Sequence, residues 1–232
     1  MSPIADNVAA VLSDIREVSR RSGRADSPRL VGVTKMRSLD EVRALIDAGV
    51  DHLAENRWKS WQERLLALSE ELLPSLFWHF IGPIQGRALK QFYRPCYSLD
   101  TLDSLSHGGL LSRLAMESGS PQRVLIEVNV CRDPGRTGIL PENLPGELEK
   151  LAALPGLCLE GLMVMGPIPG NPQSPSAADV FSEGASLFGA AKRTIPSVAT
   201  LSMGMSEDYR EAIRWGSTEV RIGRSLFEGM RP

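Results

Sequence analysis

The sequence predicts an α/β protein: a single (β/α)8 TIM barrel with an extra N-terminal helix, occupying residues 1–232 as one domain. Three observations lead there. Strand-like and helix-like runs alternate eight times after one leading helix. The repeat averages about 29 residues per unit, near the spacing of an eight-stranded barrel. No Gly-x-Gly-x-x-Gly turn follows the first strand, which counts against the open doubly wound sheet that alternation alone would also allow.

The leading segment "MSPIADNVAAVLSDIREVSRRSGR" sets charges among apolar positions at helical spacing and lacks the uninterrupted apolar core of a signal peptide. Then "LVGVT", β-branched and of strand length, leads to the amphipathic "SLDEVRALIDAGV". "DHLAE" leads to "RWKSWQERLLALSEELL", "LFWHFIG" to "GRALKQFY", and "CYSLD" to "LDSLSHGGLLSRLAMESG". In the second half "RVLIEVNV" leads through a Gly/Pro loop to "ENLPGELEKLAAL". "LCLEGLMVM" leads to "SAADVFSEGASLFGAAKRT" through "PIPGNPQSPS" (167–176), a long irregular loop after which the pattern resumes. "SVATLSM" leads to "SEDYREAIRWG", and "EVRIG" to a closing helix-like "RSLFEGM".

Composition narrows the function classes. A formal net charge of −2 with 42% hydrophobic residues is ordinary for a soluble globular chain and lacks the basic excess of a nucleic-acid binder. Cys96, Cys131 and Cys158 are odd in number, widely spaced and without a Cys-x-x-Cys pair, so neither a disulfide framework nor a zinc site is expected. Reduced cytoplasmic thiols fit this usage. No run approaches the ~18–20 consecutive apolar residues of a membrane span. His52, His79 and His107 show no spacing that suggests metal ligation.

In a β/α barrel the active face lies at the C-terminal ends of the strands. The residues there are Lys35, Glu55 with Asn56, His79 with Gly82, Asp100, Asn129, Met163 with Met165, Ser202 to Ser206, and Arg221 to Ser225. Lys35 allows two readings: a lysine leaving its strand for water, or a site lysine whose desolvation frees the amine to react with a carbonyl compound. "LSMGMSEDYREAI" also allows two. Its Ser-x-Gly-x-Ser turn, running into a helix that opens with Glu207 and Asp208, holds the parts of a phosphate cradle; equally, Ser206 could simply be that helix's N-cap. "VRIGRSLFEG" repeats the device one strand later, where such barrels frequently bind phosphate. Arg221 and Gly223, two apart on a strand, share one side. If that side is the barrel interior, Arg221 needs an acceptor there, whether in a site or in a structural ion pair. His79 stays open between a hydrogen-bonded core histidine and a functional one.

The segments "LVGVTKM", "AENR", "WHFIGPIQ", "RTGI" after "IEVNV", "GLMVMG" and "LSMGMSEDYREAIRWGSTEVRIGRSLFEG" together resemble the pyridoxal phosphate homeostasis proteins, a family related to the N-terminal barrel domain of alanine racemase. The resemblance implies a fold type III barrel that binds pyridoxal 5'-phosphate. It implies that Lys35 forms the internal aldimine, that Ser202, Gly204, Met205 and Ser206 form the phosphate-binding turn, and that Gly223 and Arg224 complete it. It further implies that Arg221 faces the pyridine nitrogen and, unable to give up its proton, leaves that nitrogen unprotonated and the ring a weaker electron sink. Asn56 and His79 match positions lining the cofactor, and Met163 is counted with them. The sequence also departs from the family pattern. "PIQGRA" (83–88) replaces a common His-Leu-Gln-Ser-Asn-Lys, Arg136 stands where lysine is usual, and Arg224 where threonine is usual.

The function this resemblance implies is a non-catalytic carrier that holds the cofactor for intracellular homeostasis, with no catalytic residue and no metal. The expected setting is a cytoplasmic monomer whose partners are the cofactor and pyridoxal phosphate-dependent apo-enzymes, without nucleic acid or membrane. The alternative is an amino-acid racemase or related enzyme, which needs bases on both faces of the substrate carbanion. In alanine racemase the second base is a tyrosine brought by a separate C-terminal domain and partner subunit. That domain is not seen here, and Tyr93, Tyr97 and Tyr209 lie in no motif resembling that tyrosine's surroundings. A third possibility is a barrel that binds another phosphorylated metabolite without a covalent bond.

Overall fold

Alternation of side chains along eight short strands divides the computed structural model, which describes residues 3–68, 75–168, 170 and 174–229, into two compartments. The strands are β1 (Arg29–Val33), β2 (His52–Glu55), β3 (Phe77–Phe80), β4 (Ser98–Leu102), β5 (Gln122–Val128), β6 (Leu157–Val164), β7 (Thr200–Met203) and β8 (Glu219–Ile222). They pair in parallel and in chain order, and β8 returns to β1 to close the barrel. The helices are α1 (Pro3–Arg21), α2 (Leu39–Asp47), α3 (Trp58–Ala67), α4 (Gly86–Phe92), α5 (Leu105–Glu117), α6 (Leu144–Ala152), α7 (Ala177–Thr194) and α8 (Tyr209–Arg214). The closed order excludes the open sheet.

Outward residues such as Leu53, Phe80, Leu99, Ile126, Leu162, Leu201 and Ile222 form one apolar core with the helices, each buried side chain contributing roughly 1.5–3 kcal/mol. The inward set is different. Val31, Val33 and Ala54, with Ile81 against them, make a small separate cluster, whereas His52, His79, Asp100, Ser202, Glu219 and Arg221 are buried polar residues. A barrel interior is usually packed with branched apolar residues. This one carries a charged network.

Local chemistry accounts for the main boundaries. In α1, Ile4, Val8, Val11, Ile15 and Val18 recur at helical spacing and are buried, and Asn7 Nδ2 ties the helix to the Leu226 and Glu228 carbonyls. Ser38 and Glu41 form a reciprocal capping box on α2, and Ser104 and Ser176 cap α5 and α7. Two expectations are corrected. "RSLFEGM" makes only a 3-10 turn over Arg224–Leu226. Helix α8 starts at Tyr209 with Asp208 at its N-cap position, so Ser206 is not the cap and Glu207 and Asp208 do not open the helix. The physical reason is a separate turn: the Asp208 carboxylate accepts the Met205 N–H at 2.6 Å and holds residues 205–208 out of the helix. The predicted third helix from residue 69, part of the 167–176 loop, and Met230 lie outside the described residues. Among the described residues no helix is long and apolar enough to cross a membrane, and all three cysteines are free thiols.

Candidate functional site

Lys35 follows the C-terminal end of β1 in an exposed turn, next to Met36, which has φ 62° and is 94% exposed. The ammonium makes no hydrogen bond or ion pair among the described residues. Burial therefore does not hold Lys35, and a desolvated lysine is not what the fold provides. What holds the turn is Arg64. On α3, Trp58, Trp61 and Arg64 share the buried face, and the Arg64 guanidinium donates to Glu55 Oε1 at 2.6 Å, to the Thr34 carbonyl at 3.0 Å and to the Arg37 carbonyl at 2.7 Å. Thr34 Oγ1 donates to the same Glu55 oxygen at 2.9 Å. The carbonyls on both sides of Lys35 and Met36 are thus strapped to one buried ion pair, which offsets the cost of a non-glycine residue at positive φ, about 1–3 kcal/mol.

The β7 and β8 ends form the adjoining wall. Gly204 has φ +98°, and a Cβ there would lie 2.7 Å from the Ala212 Cβ and 2.8 Å from the Tyr209 Cα, so only glycine fits this turn. Gly223 packs its backbone on β1, where a Cβ would come within 3.3 Å of Val33. The Ser225 N–H donates to Ser206 Oγ at 3.4 Å and joins the two turns. The N–H groups of Ser206, Gly223 and Arg224 have no acceptor among the described residues. Three free backbone donors on glycine-bearing turns are suited to an anion. Burial pushes the nearby Asp208 carboxyl above the usual range, although it accepts the Met205 N–H.

Beneath this wall lies the charged interior. Arg221 is buried, with Nη1 donating to Ser202 Oγ at 2.7 Å and Nη2 to the Val164 carbonyl at 3.2 Å. Ser202 in turn donates to Glu219 Oε1 at 2.9 Å. His79 Nδ1 lies 3.0 Å from Asp100 Oδ2, and its Nε2 lies 2.9 Å from His52 Nδ1. Burial opposes charge on His79, but Asp100 and Glu219 outweigh it and raise its pKa. Burial and the neighbouring His79 charge push His52 down to about 3. These directions favour charge on His79 over His52, so the proton between the two rings is better placed on His79 Nε2, with His52 Nδ1 as acceptor. Burial alone would raise Asp100, yet His79 and the Ser98 hydroxyl hold it low; Glu219 is raised by burial. Burial lowers Arg221 against the pull of Asp100, Glu219, Asp208 and Glu127. His79, Asp100 and Glu219 bring donor atoms within 4.8 Å of one another, a metal-sized grouping, and here His79 bonds Asp100 while Glu219 accepts from Ser202.

The fold therefore sorts the predicted residues. Lys35, Asn56, Gly204, Met205, Ser206 and Gly223 stand at the mouth, with Arg221 one step below and Met163 buried on β6 beside Glu127 and Ser202. Asn56 is half-buried, and Gly82 packs against its carbonyl so closely that a Cβ would lie 2.0 Å away. Three placements differ from expectation. Ser202 points into the barrel and relays between Arg221 and Glu219, because it alternates with the outward Leu201 and Met203 on β7. The Met205 N–H is taken by Asp208. The Arg224 guanidinium pairs with Glu207 at the surface. His79 is the hydrogen-bonded core histidine of its two readings. Sequence reasoning missed the roles of Glu219, His52, Asp208 and the Glu55–Arg64 pair. Polar residues two apart in otherwise apolar strands, Ser98 with Asp100 and Glu219 with Arg221, were the available signal.

A closed barrel with a lysine turn, glycine-built anion turns and a buried arginine defines a class. Residues 7–231 match the profile described as alanine racemase, N-terminal domain. Within that class, a pyridoxal phosphate homeostasis protein from Deinococcus radiodurans is 37% identical over 223 residues, covering 95% of this chain and 99% of its own. The chain belongs to the pyridoxal phosphate homeostasis protein family. A solved structure of PipY from Synechococcus elongatus with PLP bound matches at a TM-score of 0.79 and 27% identity, over 97% of this chain and 99% of that one. An alanine racemase from Clostridium difficile shares the fold at a TM-score of 0.74 and 16% identity, the match spanning 57% of its chain.

Proposed function

We propose that this chain binds pyridoxal 5'-phosphate at the barrel mouth through Lys35 and acts in intracellular homeostasis of that cofactor without a dedicated reaction. The observation that carries the reading is the pairing, among the described residues, of an unpartnered amine at the end of β1 with three free backbone N–H groups on the turns after β7 and β8, β8 being the direct neighbour of β1. The residues fit the group. Gly204 and Gly223 leave the turns without side chains, so Ser206, Gly223 and Arg224 can present their N–H groups to the phosphate. When bound, pyridoxal 5'-phosphate supplies an aldehyde for an amine and a ring that draws electrons from attached carbon.

Arg221 limits that chemistry. Fixed by Ser202 and Val164 and always protonated, it offers donors only, and so cannot be the carboxylate that would keep a ring nitrogen protonated. The tyrosines lie elsewhere: Tyr93 OH donates to Gln122, Tyr209 OH to Asp14, and Tyr97 packs with His52 and Phe77. None of the three supplies a second base at the mouth. In this reading the chain is a cytoplasmic monomer that passes cofactor to dependent apo-enzymes.

The test is a titration of the purified protein with pyridoxal 5'-phosphate, followed by absorbance near about 420 nm, beside the Lys35→Ala variant. The band should form in the wild type and be lost in the variant; an equal band in both would remove Lys35 from the account. Racemisation of alanine by the loaded protein should not exceed that of free cofactor, and turnover well above it would favour the enzyme reading.

A further inference from the structure

The end of the barrel opposite the mouth has an opening of its own. Arg29 starts β1, Arg123 lies at the start of β5, Tyr97 precedes β4, and Thr200, Thr218 and Glu219 stand at the starts of β7 and β8; together they line a cavity of about 350 Å3. None of the mouth residues reaches it. Its size lies within the roughly 300–1,000 Å3 range of small-molecule sites. The cations in it are incompletely satisfied. Arg29 meets Glu219 only at 3.5 Å. Arg123 lies over the Tyr97 ring at 4.5 Å, donates to the Tyr97 hydroxyl at 3.2 Å and reaches Glu160 at 2.7 Å, yet its Nε is buried without a hydrogen-bond partner among the described residues. Both arginines also lie close enough to His52 to disfavour a charge on it, which places them around one buried imidazole.

An ordinary pair of floor ion pairs would leave no buried guanidinium donor unused. We propose that this floor cavity binds a small organic anion, with a carboxylate or phosphate group held by Arg29 and Arg123 and by the Thr200 hydroxyl. Two guanidiniums with forked donors suit either group. The inner wall of the site is Glu219, whose other oxygen bonds Ser202 and through it Arg221, so the floor and the mouth share one hydrogen-bonded chain. The proposal does not depend on Lys35 or on the cofactor.

The experiment is a titration of the full chain with succinate and, separately, with inorganic phosphate, read from the 1H–15N signals of the arginine Nε–H groups. The expected result is a saturable shift of the Arg123 Nε–H, weakened by at least roughly tenfold in Arg29→Lys, and a matching shift of the Arg29 Nε–H that is lost in Arg123→Lys. Lys35→Ala and Arg224→Gln should leave it unchanged, which separates this site from the mouth. A response to succinate alone assigns the site to carboxylates, and one to phosphate alone assigns it to phosphate esters. A shift confined to the Gly223 and Arg224 backbone signals, or no Arg123 response at millimolar concentrations, overturns the proposal. Because the wild-type signal is read directly, a variant that fails to fold does not void the test.

Discussion

Replacing Arg64 with methionine tests how the lysine turn is held. The substitution keeps an unbranched apolar stem and removes three hydrogen bonds, one to Glu55 and two to the Thr34 and Arg37 carbonyls. Among the described residues Glu55 then stays buried with only the Thr34 hydroxyl and the Asn56 N–H as donors. Because the Arg64 and Glu55 side chains are only 10% and 1% exposed, solvent screening gives little relief. Removing one partner of such a pair costs about 3–5 kcal/mol, a large share of a total stability of about 5–15 kcal/mol. At a urea dependence of about 2 kcal/mol/M, the unfolding midpoint should fall by about 1.5–2.5 M. A double variant, Arg64→Met with Glu55→Gln, removes the stranded charge and should regain much of the midpoint. Its turn remains unstrapped, so formation of the Lys35 adduct should stay slow in stopped-flow absorbance. A midpoint shift below about 0.5 M, or adduct formation at the wild-type rate in both variants, would refute the strap.

Gly204→Ala should destabilise the protein by about 1–3 kcal/mol, since its Cβ meets Ala212 and Tyr209; it should also weaken cofactor binding, and denaturation with and without cofactor measures both. Arg221→Met leaves Asp100, Glu219, Asp208 and Glu127 without their shared cation, and a loss of about 3–5 kcal/mol is expected in the same assay. The two buried histidines give opposite pH slopes. His52 has a folded pKa near 3 against 6.5 unfolded, so only the unfolded chain takes up that proton between those values, and stability falls as pH drops through this window. His79 is raised, so its contribution is complete below 6.5 and is lost as pH rises through its folded pKa. His52→Asn should therefore flatten the acid limb and leave the alkaline one; chemical denaturation across pH reads both, and an unchanged acid limb would contradict the assignment.

The barrel was legible because its period is redundant: eight apolar strands with amphipathic helices between them point to one architecture, and "LVGVT" or "LCLEGLMVM" needs no partner to be recognised as strand. The mouth was legible where glycine was the signal, as at Gly223 and above all at Gly204, whose positive φ and close neighbours no other residue could take. Side-chain destinations were less so. Ser202 reads as part of a phosphate turn by proximity to Gly204, but one step of strand alternation turns its hydroxyl toward Glu219. Ser206 reads as a helix cap until Asp208, three residues from the turn it closes, takes the Met205 N–H. Arg64 lies nine residues beyond Glu55 on a helix whose pattern looks simply amphipathic, and its role depends on a tertiary contact with the β1 turn.

The most direct measurement of the central claim is borohydride reduction of the protein with pyridoxal 5'-phosphate, followed by peptide mapping of the fixed adduct. The account predicts one modified residue, Lys35, at near-unit stoichiometry, with the Gly204→Ala variant labelled more weakly at the same lysine. An adduct scattered over Lys59, Lys90, Lys150 and Lys192, or none at Lys35, would mean that the turn after β1 does not hold the cofactor.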